Sequence, residues 1–190
     1  MRLSTQPEPP GTVSDALDRC IEAVSHGDRD ALAELYGLTH AAVYGFALSI
    51  TKSAQDAEDV LQDVYLHVWQ SAGQYRSQNK PMAWLITMTR NLALSRLRER
   101  ERSFSMEPQT VQEWLDQTPA ATPEDRLALD ALLSGLSDEE RQIVTLHALT
   151  GLKHREIARL LDLPMSTVRS KYNRALNKLK RLLKEDGRHA

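Results

Sequence analysis

A single cysteine, Cys20, stands in the 190-residue sequence, which excludes an internal disulfide framework and any cysteine-based zinc site within the chain. Aromatic residues are also scarce, at 5%. No stretch approaches the roughly 18 apolar residues of a membrane span, so no direct membrane insertion is expected. The segment Met1 to Gly11 carries Pro7, Pro9 and Pro10 and lacks the apolar core of a secretory signal. A cytoplasmic location is expected, and Cys20, beside an apolar stripe, reads as a small core residue rather than a redox sensor. Catalytic signatures are missing as well. There is no Gly-rich phosphate loop, no H-E-x-x-H, no G-x-S-x-G, and the six histidines form no catalytic spacing. The expectation is a protein that is not an enzyme, with no cofactor, no metal and no small-molecule substrate.

Charge is present in quantity but segregated. The net charge is −2 and the pI near 6.3, averages that taken alone argue against a nucleic-acid partner. From Thr150 to Ala190, however, 11 Lys/Arg face 4 Asp/Glu, whereas Ser103 to Leu149 holds 2 against 9. The C-terminal stretch is therefore a basic module behind an acidic one.

Helical periodicity dominates and no run alternates with period two, so the fold class is all-α. Leu17, Ile21 and Val24 mark a first helix, stopped by Gly27 and followed by Asp28 as the next cap. Leu32, Leu35, Tyr36, Val43, Phe46, Ala47 and Ile50 form the buried stripe of a second. Ser53 and Asp56 cap a third, with Ala57, Val60, Leu61, Val64, Tyr65 and Val68 on one face. Gly73 ends that pattern, Gln74 to Lys80 reads as a loop, and Pro81 opens a helix running to about Arg102. Ser103 to Pro123 carries three prolines and no Lys or Arg, the best linker candidate. Thr122-Pro-Glu-Asp125 restarts helix, Leu129, Leu132, Leu133 and Leu136 line it, and Ser137-Asp-Glu-Glu140 is a capping box for another that stops near Gly151.

Ile157, Ala158 and Leu161 are the inward positions of a short helix, Lys153 to Leu161, broken by Asp162-Leu163-Pro164. Ser166 is read as the cap of the next, about Ser166 to Lys184, with Val168, Tyr172, Ala175, Leu176, Leu179, Leu182 and Leu183 inward. Its solvent side then presents Thr167, Arg169, Ser170, Lys171, Asn173, Arg174 and Lys178. Short helix, turn and basic helix suit major-groove entry, arginine gripping guanine edges while lysines hold phosphates. An ordinary amphipathic helix with a solvated basic face is the plain alternative.

Upstream, Asp56, Asp59 and Asp63 share a helical face with Gln62 beside it, a solvated or a protein-docking surface by spacing alone. The segment Pro81 to Arg98 mixes Trp84 with arginines, a composition that can bind single strands by stacking and charge, or can place Trp84 in the core. A repressor or activator with a sensing domain, binding operator DNA as a symmetric dimer, would use the same helix-turn-helix.

Taken together, Asp56-Ala-Glu-Asp59 leading to Gln62, Ala83-Trp84-Leu85 with Arg90-Asn91, the acidic linker, and Leu136-Ser137 through Thr167-Val168-Arg169-Ser170 with Arg174-Ala175-Leu176 resemble an extracytoplasmic-function (ECF) sigma factor over about residues 14 to 186. The resemblance implies two small helical domains. Residues 1–13 would be a flexible N-terminus, 14–102 a sigma-2-type helical bundle, 103–123 the linker, 124–187 a sigma-4-type four-helix domain with the helix-turn-helix, and 188–190 a tail. It implies core RNA polymerase as partner, through the beta-prime clamp and beta flap, promoter DNA, and an anti-sigma factor that in this family is often membrane-anchored. Asp56, Asp59, Gln62 and Asp63 would meet the clamp. Tyr75, Arg76, Ser77, Gln78, Asn79 and Lys80 would form the loop that receives a flipped base, with Trp84, Arg90, Asn91, Arg96 and Arg98 on the helix tracking the opened minus-ten element. Arg155, Ser166, Thr167, Arg169, Ser170, Lys171, Arg174 and Lys178 would hold the minus-thirty-five element as duplex. Ser95 stands where relatives commonly carry aspartate, and Asp162 where they commonly carry glycine; aspartate tolerates the left-handed bend better than most residues.

Overall fold

The computed structural model describes residues 12–76, 80–102 and 135–186, and these are helical with no strand among them. The first helix, α1 (Val13–Ser25), is fixed by a capping box. The Thr12 hydroxyl accepts from the Asp15 amide at 3.3 Å, and the Asp15 carboxylate accepts from the Thr12 amide at 2.8 Å. Gly27, at φ +85°, turns the chain, and Asp28 accepts from the amides of Asp30 and Ala31 to open α2 (Arg29–Thr51). Lys52 bends left-handed, and the Ser53 hydroxyl accepts from the Asp56 amide at 3.2 Å to start α3 (Ala54–Ser71). A single 3-10 turn, Ala72–Gln74, follows, so the helical path runs past Ser71 through Gly73 before the chain turns extended at Tyr75. Pro81 then opens α4 (Pro81–Arg102), as the proline signal indicates.

In the C-terminal part, Ser137 and Glu140 form the expected capping box of α5 (Asp138–Thr150), and Gly151 closes it at φ +67°. Two further helices follow, α6 (His154–Leu161) and α7 (Met165–Asp186). The expected linker 103–123, the restart at Thr122, the stripe Leu129, Leu132 and Leu133, and residues 1–11, Ser77, Gln78, Asn79 and 188–190 lie outside the described residues.

The long α2 is the centre of the packing, contacting α1, α3, α4 and also α5. Its stripe of Leu35, Val43, Phe46, Ala47 and Ile50 is buried, with Phe46 wholly so; burying one such side chain contributes about 1.5–3 kcal/mol. Tyr36 departs from the expected stripe: it is exposed, stacked on His40 at 5.0 Å and tilted against Tyr65 at 4.9 Å. One turn on, Thr39 takes the inward position, its hydroxyl donating to the Leu35 carbonyl and pairing with the Tyr65 hydroxyl at 2.7 Å. Burial pushes the Tyr65 phenol up to about 12. Cys20 is buried, as expected of a core residue, and desolvation raises its thiol pKa. The buried apolar side chains form one cluster running from Leu17 in α1 to Val168 in α7. The described parts of the N- and C-terminal regions therefore share a boundary, at α2 and α5.

Candidate nucleic-acid interface

The bend between α6 and α7 rests on Asp162, at φ +54° and ψ +46°, with the Leu163 amide donating to the Ala158 carbonyl at 2.9 Å. Aspartate visits this left-handed region at a cost that glycine does not bear. Asp162→Gly is therefore expected to leave DNA binding intact and raise the thermal midpoint by a few degrees, a gain of at most about 1 kcal/mol; a drop in midpoint would show that the aspartate side chain itself supports the turn.

Past the bend, Pro164 rather than Ser166 occupies the capping position. The Val168 amide donates to the Pro164 carbonyl at 3.1 Å and the helix begins at Met165, which places Ser166 inside the first turn, exposed. Ile157, Ala158, Leu161, Val168 and Ala175 are buried as the spacing predicts. The outward face of α7 presents Ser166, Arg169, Ser170, Asn173 and Arg174, with Thr167 half-buried beside them and Arg155 exposed on α6. Exposed guanidinium groups in the first turns of a helix are of the kind that can make bidentate base-edge contacts.

Lys171 and Lys178, read from the sequence as part of that solvent face, turn toward α5 instead. Lys171 Nζ sits 2.5 Å from Glu139, and Lys178 Nζ sits 2.6 Å from Glu140, whose side chain is only 2% exposed. A long lysine stem can cover apolar surface while its ammonium reaches a carboxylate on a neighbouring helix, which periodicity alone does not reveal.

Behind the arginines, His147 of α5, His154 of α6 and Tyr172 of α7 make a three-way ring cluster with centroids 4.8–5.1 Å apart. The His147 Nδ1 is 3.0 Å from the Leu152 carbonyl, and the buried His154 Nε2 has no hydrogen-bond partner. Desolvation first, then the charges of His147 and Arg169, hold the His154 pKa below the ordinary 6.5. With the folded value below the unfolded one, the unfolded chain takes up the proton first. The stability this provides is complete above about pH 6.5 and is lost as pH falls through the folded value. Melting curves at pH 7.5 and 5.5 are expected to show a larger acid-induced loss for the wild type than for His154→Gln; equal losses would remove His154 as the cause.

On the N-terminal side, α3 and α4 are stitched by charge. Arg96 donates to Asp59 at 2.9 Å and Arg100 to Asp56 at 3.4 Å. Two of the four acidic-face residues thus already have partners within the chain, while Gln62 is exposed and Asp63 half-exposed. Exposed Leu66 and Trp69 extend this face, one and two turns beyond Gln62; the 62, 66, 69 spacing was the available signal for them. Trp84 lies between the two sequence readings: half-buried, with its ring 4.8 Å from that of Tyr75. The Tyr75 hydroxyl donates to Asp18 at 2.6 Å, which ties Tyr75 to α1. Arg76, Lys80, Asn91 and Arg98 are exposed and Arg90 is half-buried. Ser95 donates to Glu99 at 3.5 Å within its own helix. Among the described residues no cluster of three metal-ligating side chains occurs, and no helix is long and apolar enough to cross a membrane.

Sequence and structure comparisons bear on this arrangement. Sigma-70 region 2 matches residues 35–103, and Sigma-70, region 4 matches residues 126–179. The chain is 31% identical over 182 residues to the ECF RNA polymerase sigma factor SigK of Mycobacterium ulcerans (strain Agy99), covering 92% of this chain and 97% of that one. It is 30% identical over 181 residues to the protein of that name from Mycobacterium tuberculosis (strain CDC 1551 / Oshkosh), with the same coverage. Among solved structures, CnrH in complex with the cytosolic domain of CnrY superposes with a TM-score of 0.60 at 22% identity, over 90% of this chain and 99% of that one. The sigma factor RpoE of Bartonella quintana, in complex with the anti-sigma factor NepR, gives 0.60 at 24% identity, over 80% and 96%.

Proposed function

The chain belongs to the ECF sigma factors of bacterial RNA polymerase, and from that premise we propose which of its surfaces do the work of directing polymerase to promoters. In this reading residues 14–102 bind core polymerase and open the minus-ten element, 103–123 link, and 124–187 read the minus-thirty-five element as duplex. The outward arginines of α7 contact base edges. Lys80, Arg90, Asn91 and Arg98 run along the displaced strand, and the Tyr75–Trp84 pair walls the site for an unstacked base. Unstacking costs a few kcal/mol, which a prepared aromatic wall and adjoining cations offset.

Asp59 and Asp56 take part in docking on the beta-prime clamp without giving up Arg96 and Arg100, since each carboxylate has about four acceptor sites. Exposed Gln62, Asp63, Leu66 and Trp69 complete that surface. The C-terminal unit meets the beta flap. An anti-sigma factor is the regulatory partner, in line with the complex of RpoE with the anti-sigma factor NepR; membrane anchoring belongs to that partner, and the sigma factor acts in the cytoplasm.

The observation that carries this reading is the presence on one chain of two distinct cationic faces, α7 behind the Asp162 bend and α4 behind the Tyr75 loop. Transcription of genomic template by purified core polymerase, with and without the chain, followed by mapping of transcript starts, tests it. A defined new set of starts is expected. Their absence would sink the two-face assignment and favour a stand-alone DNA-binding regulator.

A further inference from the structure

We infer that His154 positions α7 for base reading and that only its neutral imidazole does so: when the ring takes up a proton it leaves its seat beside His147 and Tyr172, and the base preference set by Arg169 fades while phosphate contacts persist. The inference rests on the reading of α7 given above. His154 is the first residue of α6, and its ring closes the junction of three helices, 5.1 Å from that of His147 on α5 and 4.8 Å from that of Tyr172 on α7. Tyr172 in turn meets the His147 ring edge-on, at 4.8 Å and 79°. Arg169 stands one turn before Tyr172, so the two are neighbours on the helix surface. Any displacement of the Tyr172 turn therefore carries Arg169 with it. A bidentate grip on a base edge is sensitive to such a shift, because hydrogen bonds weaken steeply with distance and angle.

The seat is set against a cation. The His154 Nε2 is buried with no hydrogen-bond partner, whereas an imidazolium donates from both ring nitrogens, and a buried donor without an acceptor is costly. The ring also lies at the N-terminal end of α6, where the helix dipole is positive. The titratable and charged groups that face it are His147 from α5 and Tyr172 with Arg169 from α7. Carboxylates on the same helices are engaged elsewhere: Glu139 and Glu140 of α5 by Lys171 and Lys178, and Glu156 of α6 by Lys80 of α4 and the Lys153 amide. Tyr172 offers a π-face, which favours a cation, yet desolvation and the charges of His147 and Arg169 still hold the His154 pKa below 6.5. Lowering the pH through the folded value therefore selects against the seated ring. Phosphate contacts do not depend on that ring, and an added positive charge near DNA strengthens unspecific attraction. Loss of preference and loss of affinity thus part company, whereas acid unfolding would lower both.

The test compares holoenzyme binding to a mapped promoter with binding to the single-base variant of its upstream element at which Arg169→Ala flattens the preference. The ratio of the two affinities cancels any effect of pH on polymerase. For the wild-type chain that ratio is expected to fall at least about threefold between pH 7.5 and 5.0, as the competent fraction shrinks, while affinity for the variant promoter holds. His154→Phe keeps a ring in the seat and takes no proton, so its ratio is expected to stay level over the same range. NMR of the imidazole resonances in the free chain follows the His154 titration with neither DNA nor polymerase present. Its midpoint is expected below 6.5 and is expected to move up in His147→Gln, which removes a neighbouring positive charge. A wild-type ratio that holds at pH 5.0, an equal fall in His154→Phe, or a midpoint at or above 6.5 overturns the inference. Arg169→Ala that flattens no preference at pH 7.5 overturns the reading of α7 instead.

Discussion

Glu140→Ala is expected to lower the melting midpoint of the C-terminal unit by about 10–20 °C. Glu140 performs two tasks with one carboxylate. Its Oε2 accepts from the Ser137 amide at 2.9 Å, closing the capping box of α5, and from Lys178 Nζ at 2.6 Å, tying α7 to α5. Losing the cap costs about 1 kcal/mol. Losing a charge-assisted hydrogen bond costs about 1.5–3 kcal/mol, reduced here because Lys178 is about a third exposed and can return to water. A total of about 2–3 kcal/mol is a large share of the roughly 3–8 kcal/mol expected for a helical unit of about fifty residues. Glu140→Gln keeps an acceptor for Ser137 and should fall between. Lys178→Ala should cost less than Glu140→Ala, since the cap survives. Differential scanning calorimetry resolves the three, and a wild-type midpoint for Glu140→Ala would refute the dual role.

The same residue sets an acid limit. Desolvation is the largest single influence on Glu140 and pushes its pKa up, but the hydrogen bonds from Lys178 and the Ser137 amide together outweigh it and hold the carboxyl below its ordinary 4.5. With the folded value depressed, this stability is whole above about pH 4.5 and disappears as pH falls through the folded value. The loss at His154 sets in at higher pH, from below its ordinary 6.5, so acid loosens the DNA-reading unit in two steps that separate substitutions can dissect.

How legible was all this in the sequence? The helix starts were, because caps are local chemistry. Ser53, Asp28 and Ser137 each announce a helix within three residues, and each does so in the structure. Pro164 masked the cap at α7, since its carbonyl serves where a serine side chain was expected. The inward stripes were legible too, apart from Tyr36, where a phenol at the edge of a stripe gains more from stacking on His40 than from burying its hydroxyl. What the sequence concealed are partners far along the chain: Lys178 with Glu140, Arg96 with Asp59, Lys80 with Glu156. A single helix wheel shows these charges as outward-facing, and only the packing of the neighbouring helix reveals which of them are spoken for. That distinction also reassigns roles, because a lysine held by a buried carboxylate is poorly placed to neutralise a phosphate.

Arg169→Ala/Arg174→Ala should weaken holoenzyme binding to a mapped promoter by at least about thirtyfold while leaving the melting midpoint within about 1 °C. Both side chains are exposed on α7, so little packing is lost. Each bidentate arginine is worth about 1–3 kcal/mol of base discrimination, and two that act at separate base pairs roughly add. A phosphate contact has a different signature, an unchanged base preference with a salt slope reduced by about one. Anisotropy titrations at several salt concentrations, on the mapped promoter and on single-base variants of its upstream element, separate these cases. Arg169→Ala alone should flatten the preference at one position. Lys178→Ala should leave both preference and salt slope unchanged at temperatures where the unit stays folded, because its ammonium belongs to Glu140. A salt slope that drops for Lys178→Ala and not for the arginines would reverse the assignment, placing the phosphate grip on the inner side of α7 and the arginines in solvent.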